Sequence, residues 1–218
     1  MSSDLPIPSR GQRALAAIVV TDAVGFSARM SLDEENTLQL IQHDLELMAE
    51  QCQGFDGQVL KSTGDGLLMY FVSAVQAVSC AIAIQNALTS QAKTTSDRLS
   101  HRIGIHMGDV FFSDSDVMGN SVNIAARLQT QARPGGICLS QLLYDLVKGR
   151  LSLNAEFAGP LQLKNIQEPV VAYHISVAAP PPRRPPAAPP ASASGPPRSK
   201  PQAAPPAVLA AGTKIAGR

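Results

Sequence analysis

Residues 57–72, GQVLKSTGDGLLMYFV, decide the fold. Apolar residues flank Gly64-Asp65-Gly66, and an acid between glycines is turn chemistry. The stretch reads as two strands closed by a bend, a hairpin with a carboxylate at its tip. Helical patterns lie on both sides. Residues 31–52, SLDEENTLQLIQHDLELMAEQC, set apolar side chains at 38, 41, 45 and 48 behind an acidic first turn, so a helix precedes the hairpin. Residues 73–91, SAVQAVSCAIAIQNALTSQ, predict an apolar helix with a Ser N-cap. ALAAIVVTDAV (14–24) reads as a buried strand and HRIGIHMGDVFF (101–112) as an alternating one. The order up to residue 112 is β-α-β-β-α-β, the split βαβ of ferredoxin-like sheets.

The expected fold class is α+β, a ferredoxin-like βαββαβ core with C-terminal additions. The additions are a helix over NSVNIAARLQTQA (120–132), stopped by Pro134-Gly135-Gly136, then a short strand, GICLS (136–140). A short helix, SQLLYDLVKG (140–149), and strands near LSLNAEFA (151–158) and VVAYHI (170–175) follow. No internal repeat is visible.

Composition bounds the function. The 218 residues are 44% hydrophobic, without Trp, which suits one globular domain plus extra length. No apolar run approaches the roughly 18 to 20 residues that cross a bilayer, and the polar N-terminus lacks a signal-peptide core. Cys52, Cys80 and Cys138 are scattered among apolar neighbours; they read as buried small hydrophobes in a reducing cytoplasm. Net charge is +1, but the six basic residues after position 177 stand without an acid, leaving twelve basic against seventeen acidic residues before them. An acidic domain is a poor nucleic-acid binder.

From residue 178 the chain turns to Pro, Ala and Ser, holding twelve of the seventeen prolines. Such a segment reads as an extended linker or tail, with a proline-recognising partner as the other reading. The final AGTKIAGR is similar to the lead-in of many bacterial Ser/Thr protein kinases, which hints at a fused kinase domain beyond it. The expected domains are a short lead (1–13), a folded domain (14–177) and a basic Pro/Ala-rich tail (178–218).

The chemistry sits at strand ends. Asp22 follows the first strand in VVTDAVGFS, and Asp65 tips the hairpin. A ferredoxin-like sheet lays those two places side by side. Two carboxylates there repel unless a divalent cation relieves them, and hard cations take oxygen ligands. Singly, each Asp is better explained by a turn; their joint placement favours the cation.

TDAVGFS, LKSTGDGLL and DVMGNSVNIAARL together resemble the class III adenylate/guanylate cyclases, in matching order and spacing over about residues 14 to 175. The resemblance implies the nucleotide cyclase fold and an adenylate cyclase of bacterial type. In that chemistry the ribose 3′-hydroxyl of ATP attacks the α-phosphate, pyrophosphate leaves, and two Mg²⁺ (or Mn²⁺) ions assist. It assigns Asp22 and Asp65 to the metals, Asn123 to the ribose and Arg127 to the transition state. Asn123 and Arg127 are four apart, hence on one helix face. Lys61 and Asp116 match the adenine-reading pair. Lys donates to N1 and Asp accepts from N6, whereas guanine reverses both contacts. Asp114 is the fallback for Asp116. Because one subunit supplies the metal ligands and the other the remaining groups, the resemblance implies a cytoplasmic homodimer with two shared sites.

The sequence also departs from the family. Ile166 stands where a phosphate-binding Lys is usual, with Lys164 as the substitute. Phe26 reads as core packing, and His101 and His106 receive no catalytic role. The rival readings are a non-catalytic nucleotide-binding module, a guanylate cyclase, and a diguanylate cyclase, whose signature is missing. A GxxxxGK[ST] loop is also missing, which disfavours a P-loop enzyme.

Overall fold

The structure is a computed structural model that describes residues 11–92, 94, 96–113 and 117–177. Its elements are β1 (Arg13–Ala23), α1 (Phe26–Leu32), α2 (Glu34–Gly54), β2 (Gln58–Ser62), β3 (Leu67–Phe71), α3 (Ala74–Gln91) and β4 (His101–Phe112), followed by β5 (Val117–Met118), α4 (Asn120–Gln131), β6 (Ile137–Ser140), α5 (Gln141–Val147), β7 (Ala155–Leu161) and β8 (Val170–Ile175). They build one mixed sheet in the order β2-β3-β1-β4-β6-β8-β7, with β5 on β4. The first four strands in that order are the ferredoxin-like core; β6, β8 and β7 extend it through the parallel β4–β6 pairing.

β1 is central because both of its faces are apolar. Ala17 and Val19 join α2, α3 and α5 in one core, while Ala16, Ile18 and Val20 join Leu68, Tyr70 and Ala125 of α4 in another. A strand covered on both sides loses its alternation and reads as a continuous hydrophobic run. α4 also covers the sheet's far half, where Ile124 and Leu128 meet Cys138, Leu163, Ile166 and Ala172. All three cysteines are buried and free, as the sequence predicts.

The helix starts follow side-chain capping. The Asp33 carboxylate accepts from the Asn36 amide at 3.2 Å, and the Ser73 hydroxyl accepts from Gln76. Within α2 the buried residues are Thr37, Ile41, Leu47, Met48 and Cys52, whereas Leu38 is 46% exposed. The sequence missed α1, which has no buried residue and so no apolar stripe to announce it. It also set β7 four residues early: Leu151 and Leu153 pack on the core without pairing, so their pattern mimics a strand. His101 is structural: its Nε2 lies 2.8 Å from the Asp44 carboxylate, tying β4 to α2.

Candidate active site

The close approach of the hairpin to β1 builds the acidic end. A Cβ at Gly66 would lie 1.9 Å from the Thr21 carbonyl oxygen, so only glycine fits there. The Thr21 hydroxyl accepts from the Leu67 amide at 2.8 Å, and the Ala23 amide donates to the Asp65 carbonyl at 3.1 Å. These bonds lock the hairpin tip against the end of β1. The loop after Asp22 is held by the Val24 amide, which donates to Ser100 at 2.8 Å, and by Arg29, which donates to Arg98 at 3.3 Å and to Ser96.

Asp22 and Asp65 are thereby brought together, both half-buried. Burial raises the Asp22 pKa, and the neighbouring Asp65 carboxylate raises it further. Two groups oppose this. Arg102 stands opposite Asp22 in the β1–β4 register, and Gln129 of α4 lies near enough to lower the Asp22 pKa. Gln129 Nε2 makes no hydrogen bond of normal geometry, so it acts on Asp22 through a loose side-chain hydrogen-bonding contact. A crowded carboxylate pair fits a divalent cation. Among the described residues no third His, Cys, Asp or Glu joins them, so the pair offers oxygen donors and leaves further coordination positions to other oxygen donors.

Asn123 and Arg127 lie elsewhere on α4. The face of α4 on the sheet consists of Ser121, Ile124, Ala125, Leu128 and Gln129, all buried. A Cβ at Gly104 of β4 would lie 2.1 Å from the Gln129 amide nitrogen, so helix and strand touch backbone to backbone. At 100° per residue, Asn123 and Arg127 sit roughly 150° round the helix from that buried stripe. Asn123 is exposed and Arg127 half-buried. They share a flank, and that flank turns away from the chain's own carboxylate pair.

A cavity of about 640 Å³ runs beside this flank, lined by Asn120 and Ile124 of α4, His106, Ser140 and the β7–β8 loop with Ile166 and Glu168. Among the described residues that line it, none is Lys or Arg. Ile166, where the family's lysine was expected, is 8% exposed and packs in the core, while Lys164 is exposed in the turn and outside the lining. His106 Nδ1 and the Ser140 hydroxyl are 2.8 Å apart, and burial pushes the His106 pKa down to about 4.

Lys61 is exposed on β2, beside the irregularity between Val59 and Lys61. Asp116 and its fallback Asp114 lie outside the described residues. Phe26 packs with Ala23, Ile41 and Leu99, as expected. The sequence reading missed Arg102 and Gln129. Arg102 becomes a neighbour of Asp22 only through antiparallel register, which pairs residues eighty apart.

Over residues 11–177 the chain matches the family described as the adenylate and guanylate cyclase catalytic domain. It belongs to that family. It is 40% identical over 162 residues to "Putative adenylate cyclase 3" of Rhizobium meliloti, covering 73% of this chain and 28% of that one. It is 29% identical over 166 residues to the serine/threonine-protein kinase pkn2 of Myxococcus xanthus, covering 74% and 20%. The chain thus spans about a quarter of the length of these curated relatives. Among solved structures, the adenylate/guanylate cyclase/hydrolase of Silicibacter pomeroyi superposes with TM-score 0.71 at 33% identity, over 76% of this chain and 98% of that one. The adenylyl cyclase CyaB of P. aeruginosa gives 0.69 at 25% identity, over 77% and 96%. The α+β fold is therefore the nucleotide cyclase fold.

Proposed function

We propose that the chain is an adenylate cyclase domain that converts ATP to 3′,5′-cyclic AMP and pyrophosphate as a homodimer. The observation that carries this reading is the meeting of Asp22 and Asp65 at the end of β1. These carboxylates would hold Mg²⁺ or Mn²⁺, two ions per centre. Bound there, the ions supply charge neutralisation of the phosphates and acidify the attacking hydroxyl.

The other roles fall to groups of this chain. Asn123 orients the ribose, and Arg127 donates to the phosphate oxygens on which charge builds during in-line attack. A fixed guanidinium gives such oxygens more than a mobile ion does, because its reorganisation is already complete. Since the Asn123–Arg127 flank turns away from the chain's own carboxylates, the reading calls on a second copy to bring that flank to them. With no Lys or Arg among the described residues lining the cavity, Arg127 is the cation the reading relies on there, with Lys164 as the proposed auxiliary.

Adenine preference rests on Lys61 and Asp116. The name of the Rhizobium meliloti relative supports it, and the hydrogen-bond pattern of the base gives the reason. A cytoplasmic setting agrees with three free buried cysteines, and no helix among the described residues is long and apolar enough to cross a membrane. The kinase named among the relatives supports a fused or partnering kinase in the whole protein.

The decisive experiment is to assay cyclic AMP from ATP and cyclic GMP from GTP with Mg²⁺ and with Mn²⁺. Cyclic AMP in clear excess is the expected result. Silence with both nucleotides and both metals in a dimer shown by sedimentation would overturn it in favour of a binding module.

A further inference from the structure

One buried group has no role in the chemistry above. Gln129 is 5% exposed, and its Nε2 has no acceptor at normal hydrogen-bond geometry among the described residues, only a loose contact with the Asp22 side chain. A buried donor without an acceptor is costly, and native structures hold few of them. Its place in the fold points to an acceptor. Gly104 meets the Gln129 backbone, and Gly104 pairs with Val20, two residues before Asp22 and on the same face of β1. Two positions along the register, Asp22 pairs with Arg102. The Gln129 side chain therefore lies over the end of β1, where the Asp22 carboxyl is.

A carboxylate has about four lone-pair sites, more than a cation uses. Metal-ligating carboxylates are themselves hydrogen-bonded, and that outer contact fixes which oxygen faces the metal. We infer that Gln129 is a positioning residue: its amide donates to the Asp22 oxygen turned from the cation, orienting the carboxylate for a divalent ion. The inference rests on the carboxylate cation site proposed above. It also gives α4 two duties in one chain. Its sheet face steadies Asp22, while its outer flank carries Asn123 and Arg127.

The test measures Mn²⁺ binding without nucleotide, from the electron paramagnetic resonance signal of free Mn²⁺, on wild type, Gln129→Met, Gln129→Asn and Asp65→Asn. Met keeps the length and removes the donor; Asn keeps the donor and withdraws it by one methylene. Gln129→Met should weaken Mn²⁺ binding about tenfold, the usual loss for an outer-contact residue. Its metal-free thermal midpoint should equal or exceed that of wild type, because a poorly satisfied buried donor is gone. A folded Gln129→Met with wild-type Mn²⁺ affinity overturns the inference, as does a lowered midpoint with affinity unchanged. If Gln129→Met does not fold, Gln129→Asn decides by the same criterion. A wild-type protein that takes up no Mn²⁺, or an Asp65→Asn variant that binds as wild type does, sinks the carboxylate site itself and so fails in a different arm.

Discussion

The acidic end of β1 and the outer flank of α4 differ in how far a single chain completes them. At the acidic end, backbone hydrogen bonds, the Thr21 hydroxyl and a glycine contact draw Asp22 and Asp65 together, and Arg102 lies opposite. On the flank, Asn123 is exposed, Arg127 is half-buried and no Lys or Arg is among the described residues that line the adjoining cavity. One region is assembled in advance; the other is presented outward. The contrast teaches where the reaction would be divided. Holding two like charges together needs a rigid scaffold, because they separate when it yields. Positive groups that meet a polyphosphate need only a stable helix, since the substrate brings the opposing charge.

The hardest blow to this contrast is removal of a carboxylate. Asp22→Asn or Asp65→Asn should cut cyclase activity by about 10³-fold or more, matching the several kcal/mol attributed to metal assistance. Asp65→Asn should meanwhile leave the metal-free protein as stable as wild type or slightly more so, because it relieves repulsion on Asp22. Activity surviving in Asp65→Asn, or a collapse of its melting temperature, would show that the acidic end is structural.

Next in size is complementation. Asp22→Asn and Arg127→Ala should each be inactive alone and regain roughly a quarter of the wild-type rate when mixed. Random pairing makes about half the dimers mixed, each holding one whole centre of two. If mixing restores nothing while subunit exchange is shown by mass spectrometry, the two regions do not serve each other across an interface.

A stability probe comes third. Gly104→Ala would thrust a Cβ to 2.1 Å from Gln129 N and 2.2 Å from Ala125 O, both backbone atoms. Overpacking of this kind costs about 1–3 kcal/mol or more, read as a lower denaturant midpoint. Unchanged stability would mean that α4 is not held rigidly on the sheet.

The smallest effect concerns pH. The His106 pKa is lowered to about 4 by burial, so the unfolded chain binds that proton more readily than the native one. Stability from this group is complete above the ordinary imidazole value and declines as pH falls from about 6.5 towards 4. His106→Asn, which can still reach Ser140, should flatten that part of the thermal midpoint against pH. A slope identical to wild type would assign the acid sensitivity to other groups.

Much of this was legible in the sequence, because its signals are local. The Gly-Asp-Gly bend, the Ser73 cap and the apolar period of α3 each act within a few residues, and the structure has the corresponding elements close to their expected limits. The meeting of Asp22 and Asp65 followed from topology once the β-α-β-β order was read. What escaped was either featureless or remote. α1 buries nothing and so writes no periodicity, and Leu151 and Leu153 pattern like a strand without pairing as one.

By itself, the sequence determined the order of elements apart from α1 and the short β5, the hairpin acid, the single helix face shared by Asn123 and Arg127, and the likeness to nucleotide cyclases. Only the tertiary structure decided that Gln129 and Arg102 attend Asp22, and that the flank of α4 turns from the chain's own carboxylates. The physical reason is range. Propensity and periodicity are written within a turn of the chain, whereas register and helix-on-sheet packing bring together residues eighty and more apart, and no local pattern encodes which atoms will meet.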